Sequence, residues 1–599
     1  MIDVFAEVSR LRKAGRNQEA LAALRTGLRR SGTDPASMER AGRLLPKLRG
    51  AAGKRTRVRI LGQCTTAWIV PILAATAWSY DVALDVSEGE YDNVLQDLNH
   101  AEATDLLVLL PWTARLLAPD DRGEDERIAT EIAYWRAAWG LRQGAKLIMV
   151  GYDTPGFGPR GALLSGGAGG ARRLVRRMNE ALREALPAGA VFVDLDLVAG
   201  SLGRERFYDA RRYHWTRQPF SEEGTLRLAR HLFAAVRALT TGPKKVLVLD
   251  LDNTLWGGVV GELGPLGVQL GESPDGEAFR AFQAYCKGLA ARGVVLAVAS
   301  KNNLADAQEP FNVHPDMVLR LADFAAFEAH WEPKSTSLSR IAERLRLGLD
   351  SFVFFDDNPA EREQVRQALP LVEVVDVPDD PAGYVNAIEE SLLFETGALT
   401  TEDADRGAQY QAEAARDADQ GAHASLDDYL RSLQMVADLR PVDDADMQRV
   451  VQLLGKTNQF NLTTRRHGED QVRTWMSDSR AILLSLRVAD RFGDHGLVGV
   501  AFAVPVEGGA LRIDTLLMSC RVIGRTVEQF LWGHVLERAR NLGFTHVRGE
   551  YIPTAKNGQV AGLLDAFGLA RSHEEEGVVH YAGEVAELRT PQTFLCVRG

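Results

Sequence analysis

The run KVLVLDLDNTLWGG (245–258) carries an apolar stretch into Asp250-x-Asp252-x-Thr254. Two carboxylates at the end of a parallel strand stand at the sheet rim where α/β proteins bind ligands. In a continuing strand both would point to one face, where they repel unless a hard divalent cation holds them together. Three later runs complete a phosphoryl-transfer set. VVLAVASKNN (294–303) ends a strand at Ser300, whose hydroxyl suits a phosphoryl oxygen, and WEPK (331–334) brings Lys334 to offset transferred charge. SFVFFDDN (351–358) ends a strand at Asp356 and Asp357, oxygen ligands suited to Mg²⁺. The implied chemistry is phosphoryl transfer through a carboxylate nucleophile, with Mg²⁺ on Asp250, Asp252, Asp356 and Asp357. Taken singly, a DxD pair is more often a solvated loop and a lone lysine a surface residue; four strand ends in this order make the match.

These residues need a parallel sheet, and the surrounding pattern predicts one over 241–398. A turn-rich seam, TTGPKK (240–245), precedes it. No large insertion separates Thr254 from the helical AFRAFQAYCKGLAARG (278–293), so the cap over the site is small or absent and a bulky or carrier-bound substrate has access. Upstream, residues 1–54 have helical patterning. From 55 to 240 the apolar runs RVRIL, DLLVLLP, AKLIMVG and AVFVDLD alternate with helical stretches, which predicts a second parallel α/β domain. The short apolar stretch WIVPILAATAW (68–78) reads as part of its core, and the Gly-rich 160–171 as a loop. Residues 399–425 are charged and Ala-rich, as in an exposed helical linker. Residues 426–599 place several strands in succession before a helix, predicting an α+β domain. The fold class expected is multidomain α/β.

A length of 599 residues implies several domains at roughly 100–200 residues each. A formal net charge of -11 argues against the basic surface that nucleic acid requires. The N-terminal residues lack the uninterrupted apolar stretch of a secretory signal, and no run is suited to cross a membrane, so a cytoplasmic location is expected. Cys64, Cys286, Cys520 and Cys596 lie far apart with no metal-type pairing and are expected as free thiols.

The order Asp-x-Asp, Ser, Lys, Asp-Asp resembles the haloacid-dehalogenase superfamily. That resemblance implies an aspartyl-phosphate on Asp250, Asp252 as acid then base, and Ser300 and Lys334 on the phosphoryl oxygens, with Thr254 and Asn302 among the substrate-binding residues. LLMSCRVIGRT (516–526) resembles the anion-binding loop of the N-acetyltransferase-like (GNAT) fold, with Arg521, Gly524 and Arg525 toward a pyrophosphate or pantetheine phosphate and Thr526 in place of the usual small residue.

DLDNTLWGGVVGE, SKNN, FFDDNPAEREQVR, TNQFNLTTRR (457–466), DRFGDHGLVGV (490–500), LMSCRVIGR and IPTAKNGQV (552–560) together resemble the FkbH family of polyketide-pathway proteins over roughly 245–585. The resemblance implies a protein that takes 1,3-bisphosphoglycerate, removes its phosphate and delivers glyceryl as a thioester to the phosphopantetheine arm of an acyl carrier protein. Cys520, next to Arg521, is a candidate acyl relay; in the alternative, the carrier's thiol attacks directly and Cys520 only packs. His495 is a candidate thiol base or a solvent-exposed turn histidine. Asn458, Asn461, Arg465, Arg466, Lys556 and Asn557 are candidates for phosphate or carrier binding. Residues 55–240 are similar to SGNH hydrolases, yet Gly62-Gln63-Cys64-Thr65 lacks their serine, and Asp209 and His214 are five apart. A scaffold or docking role is therefore preferred to a site using Cys64 or Thr65.

Overall fold

The computed structural model describes residues 4–31, 34–49, 55–100, 104–156, 158–159, 161–397, 412, 416, 419, 425–457, 460–519, 522–554, 557–575 and 577–597. Most of the expected linker, together with Asn458, Cys520, Arg521 and Lys556, lies outside the described residues. The chain forms two compact units, 1–243 with 392–398, and 244–391 with 399–599.

In the first unit β1 (Thr56–Gly62), β2 (Leu84–Glu88), β3 (Leu106–Leu110), β4 (Lys146–Val150) and β5 (Val191–Val193) form a parallel sheet in the order β2-β1-β3-β4-β5. Burial on both faces explains the nearly unbroken apolar character of β3 and β4. Helix Ile69–Ser79 is buried on most of its surface, so its continuous apolar sequence serves a core. The N-terminal helices belong to the same core, to which Val8, Leu24, Leu28, Met38 and Leu45 contribute. Helix Pro35–Arg49 approaches so closely that a Cβ on Gly42 would stand 1.8 Å from the Pro71 carbonyl oxygen, a contact only glycine permits.

Residues 244–391 build β6 (Val246–Leu249), β7 (Val295–Ser300), β8 (Phe324–Ala329), β9 (Phe352–Phe355) and β10 (Glu373–Val374), all parallel, in the order β10-β9-β6-β7-β8. Strand β6 lies between β7 and β9, so the three segments that carry Asp250, Ser300 and Asp356 leave the sheet side by side. Between β6 and helix Pro274–Ala291 the chain inserts only loops and the short helix Val260–Leu263.

The C-terminal sheet is mixed: β11 (Val436–Pro441), β12 (Ile482–Asp490), β13 (Gly493–Val506), β14 (Ala510–Met518), β15 (His546–Tyr551), β16 (Ala570–Glu575), β17 (Val578–Glu584) and β18 (Cys596–Val597), in the order β16-β17-β15-β14-β13-β12-β11-β18. Strands β14 and β15 run parallel and pair only from Ala510 to Arg512. Beyond that point residues 460–462 bond into the gap: Met518 N–H donates to Phe460 O at 3.1 Å, and Ile552 N–H to Leu462 O at 3.0 Å. This is the α+β domain expected, with helix Val527–Asn541 after β14. Among the described residues no helix is long and apolar enough to cross a membrane.

Candidate phosphoryl-transfer site

Asp250 directly follows β6, and its backbone N–H donates to Phe355 O at 3.1 Å, which joins it to the end of β9. Lys334 opens helix Lys334–Leu345 immediately after Pro333, a residue compatible with a helix entrance. Its ammonium lies 2.8 Å from Asp250 Oδ2 and forms an ion pair with Asp356, with only 4% of its side chain exposed. Burial works against the Lys334 cation, and the carboxylates of Asp250 and Asp356 outweigh it, holding the group charged. The other Asp250 oxygen, Oδ1, is buried with no hydrogen-bond partner.

That orphaned oxygen is the decisive feature, because an anionic acceptor buried without a partner is costly. Ligand oxygens of Asp250, Asp356 and Asp357 lie within 4.8 Å of one another. Three converging carboxylates fit a hard divalent cation such as Mg²⁺. Burial first, and then the charge of Asp250, push the carboxyls of Asp356 and Asp357 upward, Asp356 to about 7.

Asp252 is placed differently from the sequence expectation of a fourth side-chain ligand. The strand ends at Leu249 and the chain turns, with Asn253 at φ 56, so the alternation that would align the two carboxylates does not continue. The Asp252 carboxylate instead accepts from Trp256 Nε1 at 2.9 Å, Val260 N–H at 3.1 Å and Asn302 Nδ2 at 3.0 Å. Burial, the largest influence, raises its pKa against these donors. A carboxyl held by three donors, with its pKa raised by burial, is placed for proton transfer.

Ser300 ends β7 and is buried, and Thr254 accepts from Asp357 N–H at 3.3 Å and donates to Asp357 Oδ1 at 3.2 Å. Thr254 therefore braces a metal-facing carboxylate. Arg362, which the sequence reading did not single out, donates to the carbonyls of Asp356 and Asp357 at 2.7 Å each and fixes their loop. Its signal was the helix following the aspartates, where a side chain one turn on can reach back.

The C-terminal candidates divide. His495 lies in β13 at 2% exposure, which corrects the exposed-turn alternative. Its Nε2 is 3.0 Å from Asp490 and 3.3 Å from Arg525, and burial lowers its pKa. Asp490 also accepts from Arg416 Nε at 2.7 Å, and Arg525 stands 3.8 Å from it. Arg525 thus faces a buried ion cluster instead of the anion expected. Gly524, at φ 78, makes the turn before helix Val527–Asn541. Asn461 and Asn557 are fully buried braces: Asn557 Nδ2 donates to Asn461 O at 3.0 Å, and Asn461 Oδ1 accepts from Thr464 N–H at 2.9 Å. Arg465 pairs with Glu550 at 2.6 Å and Asp514 at 3.4 Å, and Arg466 donates to Leu454 O at 2.7 Å.

Sequence reasoning also missed His467, whose Nε2 lies 2.7 Å from Asp514 Oδ1. Asp514 is the extra residue of a β-bulge, since Phe502 opposes Thr515 while Ala503 opposes Ile513. The preceding Thr464 has φ 50, strained for a β-branched residue, and such strain collects at functional sites. Neither the bulge nor the strain has a local sequence signature.

In the first unit Cys64 is buried, and burial raises its thiol pKa so that it stays neutral; Thr65 Oγ1 donates to Thr216 O at 2.7 Å. Asp209 caps helix Ala210–Thr216. Cys64, Cys286 and Cys596 are free thiols.

No known protein-family profile matches the sequence, and no curated protein does. A solved structure does. The chain is similar to a magnesium-bound phosphatase domain. The N-terminal part of BF1531 from Bacteroides fragilis, containing a phosphatase domain complexed with Mg, is 27% identical at a TM-score of 0.56, over 61% of this chain and 99% of that chain. The ribosomal-protein-S18-alanine N-acetyltransferase from Escherichia coli aligns at 10% identity and a TM-score of 0.20, over 25% of this chain and 94% of that chain.

Proposed function

We propose that the protein is a magnesium-dependent phosphatase acting through an aspartyl-phosphate on Asp250, coupled to transfer of a glyceryl unit onto the phosphopantetheine thiol of an acyl carrier protein. One observation carries the phosphatase half: Asp250 has one oxygen on Lys334 and the other buried and unpartnered beside Asp356 and Asp357. The Mg-bound phosphatase domain of the Bacteroides protein supports the same reading.

Asp250, Asp356 and Asp357 would hold Mg²⁺, which supplies positive charge against the transferring phosphoryl oxygens. Asp250 attacks phosphorus, the bond from phosphorus to the leaving oxygen breaks, and that oxygen takes the proton of Asp252. Asp252 then accepts a proton from water, the resulting hydroxide displaces Asp250 from phosphorus, and inorganic phosphate leaves. Lys334 stays charged through both halves and offsets the added negative charge. Asn302, Trp256 and Val260 N–H hold Asp252 in place.

The acyl half rests on the resemblance to the FkbH family, which implies 1,3-bisphosphoglycerate as the activated acyl donor in a cytoplasmic polyketide pathway. An acyl phosphate needs no further activation: a thiolate attacks its carbonyl, the C–O bond to phosphate breaks with release of that phosphate, and a phosphoglyceryl thioester forms. Asp250 then hydrolyses the remaining phosphate ester to leave the glyceryl thioester. For that thiol the C-terminal domain offers His467, oriented by Asp514, as a base. Cys520 is the candidate relay.

A second reading, a phosphatase for a small molecule with no carrier step, is favoured by one observation. Arg465 and Arg525 face acidic partners instead of standing open to an anion. Intact-protein mass spectrometry of a holo acyl carrier protein after incubation with Mg²⁺, freshly made 1,3-bisphosphoglycerate and the enzyme separates the two. A glyceryl adduct is expected; phosphate release without an adduct would establish the plain phosphatase.

A further inference from the structure

At the edge of the C-terminal sheet, β16 and β17 form an antiparallel hairpin, and β17 pairs on its other side with β15. His573 opposes His580, and His580 opposes Glu550, so three strands present these side chains in one row. The pairing slips between Arg571 and His573, a bulge that re-aims the strand. The two imidazole rings lie 4.3 Å apart between centroids and 5° from parallel. Glu575, two residues beyond His573, returns to the same face. One ligand atom from each of His573, Glu575 and His580 lies within 4.8 Å of the other two.

The geometry points to a transition-metal site on His573, Glu575 and His580, distinct from the site at Asp250. Two imidazoles and a carboxylate suit Zn²⁺, whereas Mg²⁺ prefers all-oxygen sets. In such sites the second ring nitrogen of a histidine has its own polar neighbour. Ser572 Oγ is 3.1 Å from His573 Nδ1, and the Glu550 carboxylate lies 3.8 Å from His580 Nδ1, close enough to act as its charge neighbour, which leaves Nε2 of both rings for the metal. Glu550 is itself held by Arg465 at 2.6 Å. His573 and Glu575 are exposed and His580 is half-buried, so an ion enters directly from solvent. Three protein ligands leave a tetrahedral ion one position for water or a substrate donor, and the bound ion clamps β16 to β17.

The test is calorimetric titration of the chelator-stripped full-length protein with Zn²⁺ in buffer containing excess Mg²⁺, repeated with Co²⁺ and visible absorption. One bound equivalent is expected, with the intense visible bands of tetrahedral Co²⁺. His573→Ala and His580→Ala should each weaken binding at least about tenfold, and Glu550→Gln should weaken it within roughly 10–100-fold, while Asp250→Asn leaves it unchanged. The histidine positions are on an edge hairpin, and matching unfolding curves of metal-free wild type and variants confirm that they fold. Absence of Zn²⁺ binding, or equal binding by wild type and both histidine variants, overturns the assignment.

Discussion

Asp250 has two unlike oxygens: one is neutralised by Lys334 and the other is buried with no hydrogen-bond partner. Asp250→Asn cannot form the phosphoenzyme, so phosphate release from an aryl phosphate should fall by at least about 10³-fold. Unimpaired release would remove Asp250 from the nucleophile's role. Asp252→Asn retains the acceptor oxygen but loses the proton, and kcat should drop by roughly 10²–10⁴-fold, least for good leaving groups. The carboxyls of Asp356 and Asp357 are raised, Asp356 to about 7, so below that pH an incoming ion must displace protons. Mg²⁺ affinity should therefore fall as pH drops from 8 to 6, with proton release visible as a dependence of binding heat on buffer ionisation enthalpy. The sign follows from linkage: a raised carboxyl stabilises the metal-free fold at low pH, and that contribution is lost as pH rises through about 7. Stabilisation by Mg²⁺ is consequently larger at pH 8 than at pH 6.

The elements of the C-terminal sheet are joined by polar groups that the core cannot leave unpaired. Asp490, at the end of β12, is the shared carboxylate for Arg416, His495 and Arg525; burial raises its pKa, and the hydrogen bonds and charges of His495 and Arg416 outweigh it to hold the group well below the usual range. Asp490→Ala leaves buried cationic groups without a counter-ion and should cost about 3–5 kcal/mol in urea unfolding. His495→Gln, which keeps a polar group there, should cost less; the reverse order would give His495 the structural role now assigned to Asp490. Asn557 ties the β15 exit to the segment inserted between β14 and β15, donating to Asn461 O and Ile552 O and accepting from Thr554 N–H at 2.7 Å. Asn557→Ala orphans buried backbone groups and should cost about 2–3 kcal/mol in the same measurement.

For the whole molecule, the three sheets found among the described residues, in two compact units, lead to the expectation of more than one unfolding step. On the proposed function, Mg²⁺ held at Asp250 should move only the transition of the domain that contains it. At about 100 times the dissociation constant the shift corresponds to about 2.7 kcal/mol. Asp357→Asn should abolish that shift in a calorimetric scan and leave the other transitions in place. A uniform shift of every transition would mean that the units unfold together.

The multidomain α/β class was legible in the sequence, and with it the polar residues at the strand ends, because each signal is local. An apolar run shows a buried strand, and a polar residue at its end falls on a rim that parallel sheets share. Asp250, Ser300 and Asp356 stand at strand ends as that rule expects, whereas Lys334 opens the helix that follows β8. What the tertiary structure decided depends on partners distant in sequence. It turned Asp252 onto Asn302, drew Arg525 and His495 onto Asp490, and set His467 against a bulged Asp514. A side chain's charge and type are written in the chain; whether it faces a ligand or another side chain depends on the lowest-cost way to bury it, and only the assembled sheet determines that.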